Sequence, residues 1–365
     1  MSKSLRGRLL AAIFCAGAAG AYAAPVQAET LADAIALAYD TNPNLQAQRA
    51  AQRALDETYV QARSGFRPQL SFSSAAVFNE FRIPRAARQQ GIDTNGDGVP
   101  DTFPPVVGPS ILRDNSGSIG LNLDQPIWTG GRTAAAVSAS QADILSGRET
   151  LRRVEAQVML AVIQAFVDVR RDQEGLRIRP ENVGGLQKQL EESKANFEVG
   201  VITRTDVAQS QARLAASQAQ LSSAVAQLAI SRANYANVVG QNPGELQPEP
   251  SLAYMLPKNP DEAFSIAEKF SPLLRAQMFA EQASRARVAA ARAERMPSVS
   301  LRATYGFQGV IQPFDRGLYS RALTGEAVVT MPLFTGGLTS SRIRQQVERN
   351  NTDRINIETQ RRAVL

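Results

Sequence analysis

Two short stretches decide how this chain is read: Pro126-Ile127-Trp128-Thr129-Gly130-Gly131 and Pro332-Leu333-Phe334-Thr335-Gly336-Gly337. Each closes a segment in which apolar and polar residues alternate, and each opens a stretch with helical spacing. Working back from them, the segment starting at Leu31 recurs at Pro260 without a gap. Pro43 matches Pro272, Leu45 matches Leu274, Gln48 matches Gln277, Arg63 matches Arg292 and Pro68 matches Pro297, every pair 229 positions apart. The closing motifs stand 206 positions apart, so the second copy carries a shorter loop. Repeated order with variable loops marks an internal duplication.

The first repeat spans 29–257, with a helix, a strand hairpin over 69–128 and a long helical pair over 132–240. The second spans 258–365, with a helix, a hairpin over 298–334 and the start of a long helix. The fold class is therefore mainly α with a small β part. Alternation puts Leu70, Phe72, Ala76 and Phe78 on one face, with Ile119, Leu121 and Leu123. Val299, Leu301, Ala303, Tyr305 and Phe307 follow in a third strand, and Ala327, Val329 and Met331 in a fourth. The opposite faces carry Ser71, Ser73, Asn122, Asp124, Ser300, Arg302 and Thr304, which suits a wall between lipid and water. A soluble sandwich strand alternates in the same way. Four strands cannot close a barrel, because about eight are the minimum, and open edges are excluded from lipid. Insertion then requires several chains.

Between Arg132 and Phe197, Val154, Val158, Val162, Ala165, Val169 and Leu176 fall at helical spacings, and at 1.5 Å per residue such a helix reaches on the order of 100 Å. Pro180 and Gly184-Gly185 predict a kink or break within it. Val207, Leu214, Leu221, Leu228 and Tyr235 then recur at strict sevens, beside Ala212, Ala219, Ala226 and Ala233. That period predicts left-handed supercoiling. Read alone, these helices equally fit a periplasmic coiled-coil adaptor or scaffold without a pore. Between them, Gly200 fits a helix C-cap, Thr203 or Thr205 an N-cap, and Asp206 the positive end of the next helix.

The first residues read as an export signal covering 1–28. Lys3, Arg6 and Arg8 precede an apolar run from Leu9 to Ala19, too short to cross a bilayer, and Ala21-Tyr22-Ala23 or Val26-Gln27-Ala28 offers a cleavage site. Cys15, the single cysteine, lies in this signal, so the exported chain has no disulfide framework; Phe14 stands where a lipidation signal wants a small residue. The net charge of +6 includes those three signal cations and is spread without a basic block, which gives nucleic-acid binding no support. Histidine is absent, and no nucleophile and base constellation or phosphate loop is found, which argues against an enzyme. One loop, with Asp93, Asn95, Asp97 and Asp101 around Gly96 and Gly98, has the alternating oxygens of a structural Ca2+ site. Pro104 stands where a bidentate glutamate belongs, and a plain polar turn explains the same residues.

On the duplicated start at Asn42-Pro43 and Ser271-Pro272, the two closing motifs and the turn Phe197-Glu198-Val199-Gly200 leading to Thr205-Asp206-Val207, the chain resembles the TolC family of outer-membrane efflux and secretion proteins. The resemblance runs from about Glu29 to the end. It implies a homotrimer in the cell outer membrane, in which each chain gives four strands to one shared twelve-stranded β-barrel while coiled-coil helices form a periplasmic tunnel. It also implies docking to a periplasmic adaptor (a membrane fusion protein) and an inner-membrane ABC or RND pump, serving type I protein secretion or multidrug efflux. Gly200, Thr203, Thr205 and Asp206 would lie at the periplasmic tip, in contact with the adaptor. The sequence departs from the family pattern after Gly337, where 28 residues follow against more than 100 after Gly131. The second long helical pair and its entrance-constricting acidic residues are expected to be missing from this polypeptide.

Overall fold

The computed structural model describes residues 29–82, 91–102, 111–251, 253–310, 317 and 319–364. The export signal, Cys15 and Pro104 lie outside the described residues. Seven α-helices, a short 3-10 helix at Ala253–Met255 and four strands are described: α1 Leu31–Thr41, α2 Pro43–Ser64, β1 Gln69–Arg82, β2 Ile111–Trp128, α3 Arg132–Glu198, α4 Arg204–Val239, α5 Pro260–Phe270, α6 Pro272–Ala293, β3 Ser298–Val310, β4 Tyr319–Thr330 and α7 Leu338–Val364. The duplication is exact in length for the short helix pairs, since α1 and α5 are 11 residues each and α2 and α6 are 22 each. Both copies break the helix pair at the residue before proline, which is biased toward extended backbone. Asn42 and Ser271 have ψ of 121° and 116°.

The described residues form two compact units, 29–42 with 158–251 and 43–157 with 253–364. In the first, α1 packs with the later part of α3 and with α4 around Ala34, Ala38, Val162, Ala165, Phe166, Val169, Leu228, Tyr235 and Val239. Val162, Phe166 and Val169 share a helical face, and Leu214, Leu228 and Tyr235 are the buried members of the seven-residue stripe. Ser217 and Ser231, three residues after Leu214 and Leu228, are buried too. The seam is thus a supercoil seam alternating large and small residues. The alanine stripe from Ala212 to Ala233 stays exposed. Phe166 and Tyr235 meet at 6.5 Å, and Tyr235 donates its hydroxyl hydrogen to Glu29 Oε1 at 2.6 Å. Burial first, and then that bond, pushes the Tyr235 phenol well above its ordinary range.

The hairpin of α3 and α4 is laced by Ser193 with Ser210 at 3.0 Å, Arg179 Nη1 donating to Gln220 Oε1 at 2.8 Å, and Ser231 donating to Asp172. Asp172 is held below the usual carboxylate range chiefly by Arg171, with Ser231 assisting. Of the kink or break expected at Pro180, the break does not occur, since α3 is one helix of 67 residues. Proline costs a helix interior about 3 kcal/mol, but Leu176 before it packs on the core and Leu190 beyond it is buried. Tertiary burial outweighs the local defect.

In the second unit the sheet order is β1-β2-β3-β4, all antiparallel. β2 shifts register at Pro126, which has no N–H to donate. The fourth strand begins earlier than alternation suggested and ends at Thr330, so Met331, ahead of Pro332, is outside it. The closing motifs fold alike. Gly130 and Gly131 have φ of 63° and 88°, and Gly336 and Gly337 have 59° and 86°, left-handed values that glycine alone adopts cheaply. The threonines before them cap the next helix: Thr133 N donates to Thr129 Oγ1, and Thr339 N to Thr335 Oγ1. Elsewhere in this unit the buried Glu149 is paired by Arg152 at 2.8 Å and Arg275 at 3.2 Å, and the buried Glu281 by Arg285 at 2.9 Å and by Asn350.

Candidate functional site

Directly opposed residues of an antiparallel sheet share a face, so the register assigns every strand side chain. One face carries the rows Leu70–Leu123–Ala303–Gly325, Phe72–Leu121–Tyr305–Leu323 and Ser74–Ile119–Phe307–Arg321, with Leu301 opposite Ala327 and Val299 opposite Val329. Its large side chains stand open: Leu70 and Phe72 are 68% exposed and Leu323 77%. Trp128, opposite Val299, bounds this surface at one end, and Tyr319, opposite Gly309, at the other. From Val299 to Gly309 is about 33 Å along the strand at about 3.3 Å per residue. Tilted by about 40°, that is about 25 Å of height, the thickness of the apolar band of an outer-membrane barrel with its aromatic girdles.

The other face is polar. Ser73, Asn122 and Thr304 form a chain of hydrogen bonds, with Asn122 Nδ2 donating to Ser73 Oγ at 3.0 Å and Thr304 Oγ1 donating to Asn122 Oδ1 at 3.2 Å. In the row Gln69–Asp124–Arg302–Glu326, Arg302 Nε donates to Asp124 Oδ2 at 3.0 Å and its Nη1 lies 3.8 Å from Glu326 Oε1. Glu326 and the pairing itself are absent from the sequence reading, although alternation could have placed Glu326 opposite Arg302 had the register been known. Gly306 allows the strands to approach, since a Cβ there would lie 2.6 Å from the Ile119 carbonyl oxygen. β1 and β4 are the outer strands of the described sheet. Edges 14 and 12 residues long are templates for another strand.

The second candidate site is the turn between α3 and α4. Gly200 has φ of 78° and Val201 N donates to Asn196 O at 2.9 Å, closing the helix end. Of the two threonines, Thr203 is the N-cap and Thr205 sits inside the first turn. Asp206 Oδ2 accepts from the Thr203 backbone N–H at 2.8 Å and from its hydroxyl at 2.7 Å. Those bonds, the hydroxyl first, hold the Asp206 carboxyl below its ordinary value. Val199 and Val201 beside the cap are 72% and 71% exposed, so the turn that carries Gly200, Thr203, Thr205 and Asp206 presents two apolar side chains to solvent.

In the loop of 91–102 the side-chain oxygens accept hydrogen bonds from the loop's own groups. Asp93 accepts from the amides of Asn95, Gly96 and Gly98. Asn95 Oδ1 accepts from Asp97 N, Asp97 Oδ1 from Val99 N, and Asp101 from Thr94 and Asn95. The amides of Gly98 and then Gly96 depress the Asp93 carboxyl. Among the described residues no group of three or more acidic, histidine or cysteine side chains could hold a metal ion. The polar-turn reading accounts for each of these bonds. No described helix is long and apolar enough to cross a membrane.

The family of outer membrane efflux proteins matches residues 34–241 and 264–365. The outer membrane efflux protein BepC of Brucella suis biovar 1 is 29% identical over 330 residues, covering 90% of this chain and 66% of BepC. The outer membrane protein TolC of Vibrio cholerae serotype O1 is 23% identical over 341 residues, covering 91% of this chain and 71% of TolC. This chain thus spans about two thirds of the length of these relatives. Among solved structures, the outer-membrane channel OprN superposes with a TM-score of 0.71 at 20% identity, over 90% of this chain and 70% of OprN. VceC of Vibrio cholerae superposes with a TM-score of 0.69 at 17% identity, over 91% and 75%. These superpositions speak for the fold.

Proposed function

This chain belongs to the outer membrane efflux protein family, and we propose that three copies join their sheets edge to edge into one twelve-stranded barrel that forms a channel through the outer membrane. The observation that carries this is the two-faced sheet: an exposed, mainly apolar band about 25 Å high between Trp128 and Tyr319, with Arg321 near its Tyr319 end, a hydrogen-bonded polar face behind it, and two edges with no strand beside them among the described residues. In lipid each unsatisfied backbone group costs several kcal/mol, so such a sheet is stable only when closed by further copies. The exposed alanine stripe of α4 suits close packing of helices from neighbouring copies into a tunnel wall.

The channel performs no bond chemistry. Export is driven by an inner-membrane ABC or RND pump through a periplasmic adaptor, which docks on the capped tip at Gly200, Thr203, Thr205 and Asp206. The cargo is the cargo of that pump, small molecules in multidrug efflux or a polypeptide in type I secretion. The residues 1–28 act as the signal that sends the chain across the inner membrane. The test is fractionation with unheated gel electrophoresis. The protein is expected in outer-membrane fractions as a heat-modifiable trimer; a monomer recovered from the soluble periplasm would overturn the reading.

A further inference from the structure

Among the described side chains between its Trp128 and Tyr319 ends, the polar face of the sheet holds charge at one level only. Between the Trp128 and Tyr319 ends, the described side chains of that face are Ser, Thr, Asn, Gln, Gly, Ala, Val or Pro, apart from Asp124, Arg302 and Glu326 in a single row. Within the row the partners are unequal. Arg302 grips Asp124 through its Nε at 3.0 Å, while Glu326 stands 3.8 Å from its Nη1 and is 53% exposed on the outer strand β4. Asp124 and Arg302 neutralise one another, and Glu326 is left as the net charge of the row.

We propose that this row, closed into a ring by three copies, is a charge filter of the barrel that favours cations over anions, with Glu326 setting its sign and Arg302 its strength. The inference rests on the barrel reading, which turns the polar face toward the lumen. Each copy contributes one net negative charge, so the ring carries three. Placed about 10 Å from the axis of a twelve-stranded barrel and screened over a Debye length of about 10 Å at 0.1 M salt, three charges favour a monovalent cation over an anion by roughly fivefold. Up to the Tyr319 end, no other described side chain of that face carries a charge of either sign. Arg302 also bridges β2, β3 and β4, so the device that sets the charge fixes the pairing of three strands as well.

The experiment is the potassium to chloride permeability ratio of the purified protein in planar lipid bilayers at about 0.1 M KCl, compared with its variants. Glu326→Gln is expected to lower the ratio roughly fivefold, because the ring becomes neutral. Arg302→Gln should raise it by a similar factor, because three further carboxylate charges are unmasked. Arg302→Lys, which keeps the charge and loosens the fork, should leave the ratio where it was. Conducting channels whose ratio stays within about 1.5-fold for both neutralising variants would overturn the filter while leaving the barrel standing. A parent protein that gives no conductance would overturn both. If Arg302→Gln fails to insert, Glu326→Gln decides alone, since it leaves the Asp124–Arg302 pair intact.

Discussion

Leu323 and Thr324 are neighbours in β4 and face opposite ways, which makes them a matched pair for testing the sidedness of the sheet. Leu323 lies in the row with Phe72, Leu121 and Tyr305, while Thr324 lies opposite Thr304. Both rows sit near the middle of the band bounded by Val299 with Trp128 and Gly309 with Tyr319. An arginine on the lipid face of a barrel near the midplane costs about 2–4 kcal/mol, so Leu323→Arg should cost a trimer about 6–12 kcal/mol in all. At Thr324 the same arginine meets water, and the change should stay within about 0.5 kcal/mol per chain. The assay is guanidinium unfolding in lipid bilayers, with the heat-modifiable trimer on unheated gels as a second readout. Leu323→Arg should abolish the trimer and Thr324→Arg should retain it. Equal stability of the two variants, or greater loss at Thr324, would refute the assignment of faces and the membrane barrel with it.

Gly306→Ala places a methyl group 2.6 Å from the Ile119 carbonyl oxygen and should cost about 1–3 kcal/mol in thermal melting, whereas Gly325→Ala, with nothing within 4 Å, should be close to neutral. Phe166→Ala empties the centre of the helical unit, where Phe166 is fully buried, and a loss of about 3–5 kcal/mol is expected by denaturant titration. The Asp206 carboxyl has a folded pKa depressed by Thr203, so its contribution to the cap is present above the ordinary value of 3.8 and is lost as pH falls below it through the lowered folded value. Hydrogen exchange of the first turn of α4 should therefore quicken at low pH. Asp206→Asn should already be fast at neutral pH and lose that acid dependence.

Much of the architecture was legible in the sequence because it is written in short-range periodicity. The offset of 229 between Pro68 and Pro297 announced two copies, the sevens from Val207 to Tyr235 announced a supercoil seam, and Gly200, the two threonines and Asp206 announced a helix end and a new start, with the structure choosing Thr203 as the cap. These depend on neighbours within a turn or two, so local chemistry suffices. What the tertiary structure decided involves partners distant in the chain. Asp124 and Arg302 meet across 178 positions, and only the pairing of β2 with β3 makes their alternating strands one wall with a charged row. The pairing also extends the fourth strand back to Tyr319, which completes the second aromatic boundary. Packing likewise carried α3 through Pro180, where local propensity favoured a break, and the backbone of the 91–102 loop turned its oxygens onto its own amides. A strand's pattern says that it has two faces; the register across the sheet decides which side chains share each one, because that depends on contacts no local pattern encodes.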